Sequence, residues 1–491
     1  MLERMKNEKD WDIIIIGGGA TGLGAAVDAA SRGYRTLLVE AYDFAKGTSS
    51  RSTKLVHGGV RYLEQGNIKL VREALRERGW LLQNAPHITT AIPFVLPVYS
   101  VWQKLYYGIG LSIYDTLSAK LSLGKTKWLS KQKTLEYLPG LSAENLSGGI
   151  VYYDGQFDDA RLAIDLAKTA ASHGAVVINY CKAAALIKTK NKITGIIAKD
   201  TLSGESYELK ARAVINATGV FTDEVLHLDN PTYEPIVSPS QGIHIVVDKS
   251  FFPGGNALLI PKTEDNRVLF AVPWHNKVVI GTTDTPVQKT AMEPKPLEEE
   301  INFVIHHANK YFKQAITRKD VASVFAGLRP LVKNRGTAST AALSRDHVII
   351  VSTTGLITIT GGKWTTYRKM AEDAVDNAAF VGKLPRRLCL TKKLPIASTE
   401  NGQTNISGNK ILHAGFVITD EDVEYFVTEE MAMTVEDVLA RRTRLLFLDA
   451  RSAKAKAKQV AEKIAKILLL DELWVKEQVK QFNALTKQYT L

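Results

Sequence analysis

The hydrophobic pattern opens on a run with no polar relief: Ile13 to Ile16 are consecutive β-branched residues, as expected of a strand covered on both faces. In the small-residue stretch that follows, Gly17, Gly19 and Gly22 fall at the G-x-G-x-x-G spacing, and a helix is expected from about Ala20. Thr36 to Val39 predict the next strand, with Glu40 at its tip. This order of strand, glycine turn, helix, strand and acid points to a dinucleotide site. The first glycine makes the tight turn, the second lets backbone approach a pyrophosphate, and the third seats the helix against the sheet. The helix N-terminus offers unpaired N–H groups and its positive dipole end to phosphates. Glu40 is placed to take a ribose hydroxyl.

Two later segments carry the same strand and helix signals. Asp158 caps a helix expected over Ala160–His173, followed by strands at Val176–Asn179, around Ile193–Lys199 and at Ser206–Leu209. A further strand, Ala213 to Asn216, stops in the turn Ala217-Thr218-Gly219. The last segment is the strand Ile357–Thr360, the loop Gly361-Gly362-Lys363 and a helix from about Thr365 to Ala378. One α/β nucleotide domain assembled from residues 1–85, 155–230 and 325–385 is therefore expected. Between the later pieces the pattern changes to short alternating strands at Ile243–Val247, Leu258–Ile260, Val268–Val272 and Val278–Gly281, an antiparallel sheet able to wall a pocket. Residues 86–154 and 231–324 make up this second domain. From residue 386 to 491 the helical period dominates, over Val435–Leu446, Ala453–Leu470 and a last helix from Asp471.

Within the second domain, Trp102, Leu105, Tyr106, Ile109, Ile113, Tyr114 and Leu117 recur at helical spacing over Val101–Leu123. Lysines 104, 120, 125, 127 and 131 lie in or beyond it, with Trp128 among them. This stripe near 101–131 is either core or an amphipathic helix lying in a membrane interface.

Charge changes the picture modestly. A net charge of +12 fits anionic substrates, nucleic acid or anionic lipid. Many of the basic residues crowd the C-terminal helices, among them Arg441, Arg442, Arg444, Lys454, Lys456, Lys458, Lys463 and Lys466, as either a solvated helix face or an interaction surface. Cys181 and Cys389 are the only cysteines, so no disulfide framework, metal-finger spacing or C-x-x-C pair is present, which fits a reducing compartment. The first strand begins close to Met1, leaving no room for a signal or transit peptide, and no stretch is apolar enough to span a membrane.

The candidate chemistry lies in Ser49 to Tyr62, which combines hydroxyls, flexible backbone and cations in a loop suited to wrapping a flavin or holding an anion. Arg267, Arg329 and Lys363 stand alone among apolar or turn residues. Desolvating a lone cation is costly, so such residues tend to face a cleft or a bound anion. His244, inside the strand 242–247, is on pattern alone a satisfied core histidine as readily as a functional one.

These residues resemble a family. Gly17–Gly22, Ser49–Tyr62, Tyr153-Asp154, Asp158–Arg161, Asn216–Gly219, His244, Pro273-Trp274, Gly281–Asp284, Gly327–Leu331, Gly361–Arg368 and Glu436–Arg444 together resemble the FAD-dependent glycerol-3-phosphate dehydrogenases, in the glycine-oxidase-like branch of flavoenzymes. Trp364 departs slightly, since members often carry another apolar residue there. The resemblance implies an α/β, Rossmann-like FAD-binding domain of the glycine-oxidase and D-amino-acid-oxidase type, an antiparallel substrate domain and a C-terminal helical cap. It implies FAD bound by Gly17, Gly19, Ala20, Thr21, Gly22, Glu40, Thr48, Ser49, Ser52, Lys54, Leu55, His57, Gly58, Gly59, Ala217, Thr218, Gly219, Gly362, Lys363, Thr365 and Thr366. Arg61, Tyr62, Arg267, Arg329 and Lys363 would grip sn-glycerol 3-phosphate, with Arg61 and Arg329 on the phosphate. His244 would be the general base, assisted by Arg329 and Lys363.

The implied reaction yields dihydroxyacetone phosphate and sends electrons to membrane quinone, from a cytoplasmic protein held peripherally on the inner membrane face through the 101–131 segment and anionic lipid. A homodimer is compatible with this reading. Three rivals stand beside it, of which one, oxidation of another hydroxy or amino acid on the same fold, leaves so many phosphate-sized cations unexplained. An oxidase would use O2 and make H2O2, but oxidases of the family usually carry an added internal segment that this compact chain lacks. A flavin-bearing nucleic-acid binder would use the basic C-terminal helices and show steep salt dependence; no nucleic-acid partner is expected.

Overall fold

The computed structural model describes residues 1–8, 10–64, 66–264, 267–333, 347–397 and 418–491, with Arg61 and Glu64 described by backbone alone. The Ile13–Ile16 run lies in the strand Asp10–Ile16, and its alternate side chains enter two different cores. Ile13 and Ile15 pack with Leu23, Val27, Leu162, Leu166, Met370 and Ala374 under three helices, Ala20–Ser31, Asp159–Ser172 and Tyr367–Val381. Ile14 and Ile16 pack on the opposite face with Ile193, Ile196, Ala198 and Leu209. A stretch buried on both faces has no place for a polar residue, which is why Ile13–Ile16 shows none, while Asp10 and Asp12 stand at the less buried start of the strand. Gly24 lets the first helix come close: a Cβ there would lie 2.8 Å from the Tyr367 ring.

In this first sheet Asp10–Ile16 pairs parallel with Thr36–Val39 on one side and Ser206–Asn216 on the other, and the sheet continues to Val176–Ile178 and Leu356–Gly361. Ser206–Asn216 is one long strand where two were expected. Its first half pairs antiparallel with Lys192–Asp200, whose other neighbour is Cys181–Thr189. His347–Val351 closes the far edge. Asp158 caps its helix as expected, accepting from the Arg161 N–H at 3.0 Å.

The second sheet is centred on Val237–Asp248, flanked antiparallel by Lys277–Gly281 and Val321–Val332. Leu269–Trp274, Ala257–Ile260, Thr89–Val98 and Gly148–Phe157 extend it. It departs from the expected purely antiparallel sheet where Ala257–Ile260 pairs parallel with Thr89–Val98. Residues 325–332, expected in the nucleotide domain, pair along their length with Val237–Asp248 in this sheet, as Leu55-Val56 pairs with Gly148–Phe157. Both domains therefore contribute to the seam between the sheets.

Helix Val101–Ser118 turns Leu111, Tyr114 and Ser118 inward, packs Leu117 against the same core and leaves the rest of the stripe in solvent. Trp102 is 81% exposed and Tyr106 61%, beside Leu105, Ile109 and Ile113. Lys104 lies 5.8 Å from the Trp128 ring centroid. Tyr114, expected on the same stripe, instead points inward. No described helix is long and apolar enough to cross a membrane.

The C-terminal region packs helices Asp420–Thr428, Ala450–Leu468 and Glu472–Thr486 against the back of the second sheet, where Val246, Val279 and Phe325 join their core. Asp471 caps the last helix by accepting from the Trp474 N–H at 2.8 Å. The helix expected over Val435–Leu446 is broken. A π-type turn, Asp437–Arg442, is followed by Arg444 in the left-handed conformation (φ 65°) and a short helix, Leu445–Leu448.

That break turns three arginines inward, so Arg441, Arg442 and Arg444 belong neither to a solvated face nor to an interaction surface. Each is 1% exposed. Arg441 and Arg442 close on Asp43 at 2.5 and 2.6 Å, and Arg441 also meets Glu436 at 2.7 Å and Asp437 at 2.5 Å. Burial alone would raise the Asp43 pKa, but Arg442 and Arg441 outweigh it and bring it down to about 2. A carboxyl depressed in the folded state contributes stability above its unfolded pKa and loses it as pH falls through the folded value. Stability from this group should therefore decline between about pH 4 and pH 2. Asp43→Asn, which removes the anion shared by two buried guanidinium groups, should cost roughly 3–5 kcal/mol in urea unfolding and flatten that acid limb. Unchanged unfolding curves at pH 7 would show that the pair is not needed.

Candidate active site

The glycine turn forms a cradle that only glycine permits at two points. Gly17 has φ +113°, and a Cβ on it would lie 2.7 Å from the Ala217 carbonyl oxygen. A Cβ on Gly22 would lie 1.9 Å from the Gly17 oxygen. The Gly17 N–H donates to Val39 O and the Ala217 N–H to Ile16 O, so Ala217-Thr218-Gly219 sits beside the turn. Glu40 accepts from the Gly18 N–H at 2.6 Å and the Tyr42 N–H at 2.9 Å. Burial pushes its pKa up. At the helix start Ser49 Oγ accepts from the Ala20 N–H at 2.9 Å, with Thr21 next along the helix.

Ser49 also begins the loop that joins this cradle to a cavity of about 1100 Å³ between the two sheets. Trp364 Nε1 donates to Ser49 O at 2.9 Å, and Thr365 Oγ1 bonds both the His57 N–H and the His57 carbonyl. The expected helix start at Thr365 is a 3-10 turn, Trp364–Thr366, leading into Tyr367–Val381. Tyr114, from the exposed amphipathic helix, reaches in to accept from the Gly58 N–H at 2.6 Å and donates to Asp154 at 2.6 Å.

Into this cavity the fold brings Thr48, Ser52, Leu55, His57, Gly59, Tyr62, His244, Arg267, Arg329, Gly362, Lys363 and Thr365. Gly17–Gly22, Glu40, Gly58, Ala217–Gly219 and Thr366 lie outside its wall, on the cradle or behind the lining loops. The Arg61 side chain lies outside the described residues.

The cations divide into two groups. Lys363 Nζ stands 4.0 Å from the Tyr62 ring centroid, and Arg267 lies 5.1 Å from that of Phe303, both on the wall. Arg329 is fixed in place: its terminal nitrogens donate to Gln241 O (3.3 Å), Asp284 (3.2 Å), Thr282 Oγ1 (3.1 Å) and Thr283 O (2.9 Å). Gly242 makes that seat possible, since a Cβ there would lie 2.4 Å from the guanidinium.

Lys54, expected at the cofactor, points the other way. It is fully buried, donating to Asp159 and Ser50 O at 2.7 Å among the rings of Trp274, Phe325 and Phe447. Burial draws its pKa down to about 8 against the pull of Asp159. Arg51 is likewise paired, with Glu293 at 2.6 Å.

His244 is 3% exposed, stacked on Phe325 (centroids 4.9 Å apart, 19° between planes), with Nε2 2.9 Å from Thr53 Oγ1. Burial first, then Lys54 and Arg329, lower its pKa to about 3, so the ring is neutral at working pH. Sequence reasoning missed Thr53, Asp159, Glu293 and Tyr114, whose partners lie far away in the chain. Gly242 and Gly281 were a signal: both make room for a functional side chain beside them.

The arrangement is a phosphate-binding glycine turn running into a cavity walled by cations and a neutral imidazole, and it matches known proteins closely. Residues 12–368 match the FAD dependent oxidoreductase family, and residues 353–473 match the C-terminal domain of alpha-glycerophosphate oxidase. The mitochondrial glycerol-3-phosphate dehydrogenase of Mus musculus is 38% identical, over 98% of this chain and 73% of its own length. That of Schizosaccharomyces pombe is 37% identical, over 92% of this chain and 83% of its own. The chain belongs to the FAD-dependent glycerol-3-phosphate dehydrogenase family.

Among solved structures, glycerol-3-phosphate dehydrogenase from Bacillus halodurans, complexed with FAD, superposes with TM-score 0.78 at 31% identity, covering 99% of this chain and 96% of that one. Glycine oxidase from Geobacillus kaustophilus shares the fold, with TM-score 0.56 at 20% identity, covering 80% of this chain and all of that one. FAD is the cofactor of this family, and the residues here fit it: Cβ atoms at Gly17 and Gly22 would strike neighbouring backbone, so the glycines keep the tight turn that a pyrophosphate site needs, and the adjoining cavity is large enough for a flavin ring and a small ester.

Proposed function

We propose that this protein oxidises sn-glycerol 3-phosphate to dihydroxyacetone phosphate and passes the electrons to a membrane quinone. The observation that carries the reading is the single cavity in which Lys363, Arg267 and the fixed guanidinium of Arg329 face a neutral His244. A dianionic phosphate ester suits such a wall: cations held in place before binding need no reorganisation when the anion arrives. Gly17 to Gly22, with Ala217 to Gly219, would hold the FAD diphosphate, Glu40 its ribose, and Thr48, Ser52, His57, Gly59, Gly362 and Thr365 the ring. FAD, when bound, supplies the two-electron acceptor. Lys363 and Arg329 orient the phosphate end and favour alkoxide character at the alcohol, while uncharged His244 is the group able to take up its proton.

The quinone and membrane parts rest on the exposed stripe of Val101–Ser118. Trp102, Leu105, Tyr106, Ile109 and Ile113 face solvent on one helix, beside Lys104, as an interfacial helix requires. Tyr106, Ile109 and Ile113 also line the cavity, so an apolar acceptor arriving from the lipid would meet the site without crossing water. We place the protein on the inner face of the cell membrane. The match of residues 353–473 to an oxidase-named domain favours one second reading, in which oxygen replaces quinone.

Mixing the yellow protein with glycerol 3-phosphate without air should bleach the flavin within one turnover, and a water-soluble quinone should restore the colour faster than air does. A flavin that keeps its colour removes the proposed reaction, whereas faster recovery in air assigns the oxidase. For the membrane contact, Trp102→Glu combined with Leu105→Glu, neither lining the cavity, should lower co-sedimentation with anionic phosphatidylglycerol vesicles at least about tenfold and leave anaerobic bleaching intact. Undiminished sedimentation would reject this helix as the anchor.

A further inference from the structure

Thr53 lines the cavity beside His244. Its hydroxyl is 2.9 Å from His244 Nε2, and its half-buried side chain lines the cavity wall. The imidazole ring is wedged. One face stacks on Phe325, and a Cβ on Gly281 would lie 2.3 Å from the ring carbon Cδ2, so little space is left for the imidazole to swing outward. The other nitrogen, Nδ1, is buried with no hydrogen-bond partner among the described residues. The nitrogen of His244 that has a partner, Nε2, is therefore already engaged by the threonine hydroxyl on the wall that a substrate alcohol would meet.

We propose that Thr53 is a catalytic residue that relays the substrate proton to His244. In this step the alcohol O–H bond breaks and its proton moves to Thr53 Oγ1, while the threonine proton moves to Nε2. The carbon-bound hydrogen leaves with its electron pair to the flavin, and the alcohol becomes a ketone. Threonine ends as it began, and histidine carries the proton until release. The proposal rests on the glycerol 3-phosphate reading above.

Two features of the site support it. The threonine backbone is pinned on both sides: Asp159 accepts from the Ser52 N–H at 3.0 Å and from Ser52 Oγ at 2.7 Å, and Lys54 next in sequence is locked into the same carboxylate. Thr53 thus has a fixed origin for its hydroxyl, as a relay needs. The charge balance also changes at the right moment. Burial, Lys54 and Arg329 keep the ring neutral in the open cavity. A dianionic ester entering the cavity would offset Arg329, the one of these two cations on its wall, and so favour imidazolium once substrate is present.

The test uses the full-length flavoprotein and the variants Thr53→Val and Thr53→Ser. Thr53→Val keeps the shape and removes the hydroxyl. It should purify with wild-type flavin content and slow anaerobic bleaching at saturating substrate by roughly a hundredfold, with KM changed less than about threefold. Thr53→Ser should recover most of the lost rate. Independently of activity, 15N-histidine NMR should show His244 Nε2 as the unprotonated, hydrogen-bond-accepting nitrogen in wild type, with that resonance shifted in Thr53→Val. Wild-type bleaching that proceeds equally fast in Thr53→Val, or a protonated Nε2 in the wild type, overturns the relay alone. A wild-type flavin that glycerol 3-phosphate leaves unbleached overturns the reaction on which the relay rests, and the relay with it.

Discussion

Asp159 is the point on which both the loop of the site and the cap depend. Fully buried at the start of the helix Asp159–Ser172, it accepts from Lys54 Nζ, from the Arg444 guanidinium at 2.7 Å, from the Ser52 N–H and hydroxyl, and from its neighbour Ala160. Charges taken out of water are tolerated only when paired and hydrogen-bonded, and here each of the three has partners. The helix N-terminus adds a favourable field for the carboxylate. Burial would raise its pKa, but Lys54 and Arg444 bring it below the ordinary carboxylate range, so the anion persists. Through this one side chain the nucleotide domain, the loop 48–59 and the C-terminal region are joined.

The consequence for the site is a division of labour among cations that look alike in sequence. Lys54, Arg51 and Arg444 are spent on internal pairing and hold backbone in place. Lys363 and Arg267, close to rings, and Arg329, fixed by four acceptors that include the Asp284 carboxylate, line the cavity. The ring quadrupoles add an attraction that helps to hold the ammonium and guanidinium groups at the wall. The same amphipathic helix that exposes Trp102 also sends Tyr114 inward to the Gly58 N–H, so the outer surface and the cofactor loop share one rigid element.

Much of this was legible in the chain. The strand Thr36–Val39 and the helix starting at Ala20 fall where the pattern put them, because β-branched runs and small-residue turns have few alternatives. Asp158 and Asp471 cap their helices because a short carboxylate before an apolar period has one good use. The family and its cofactor were also legible, from motifs spread over the whole chain. What could not be read was which way a charged side chain turns. Arg441, Arg442 and Arg444 sit in a basic C-terminal stretch, yet a left-handed residue and a π-type turn carry them inside to meet Asp43 and Asp159, carboxylates far earlier in the chain. Lys54 is one residue from Thr53 and faces the opposite way. Long-range pairing of this kind leaves no local period, so pattern reasoning assigns such residues to solvent or to ligand by default.

Replacing Asp159 with Asn tests the dependence most directly, because it removes one charge and keeps the shape. Flavin content of the purified protein and its thermal midpoint, measured together, give the answer. Both should fall in Asp159→Asn, as buried Lys54 loses its anion, Arg444 keeps only the longer contact to Asp158, and the loop 48–59 loses its tether. A variant that purifies fully yellow and melts with the wild type would contradict it.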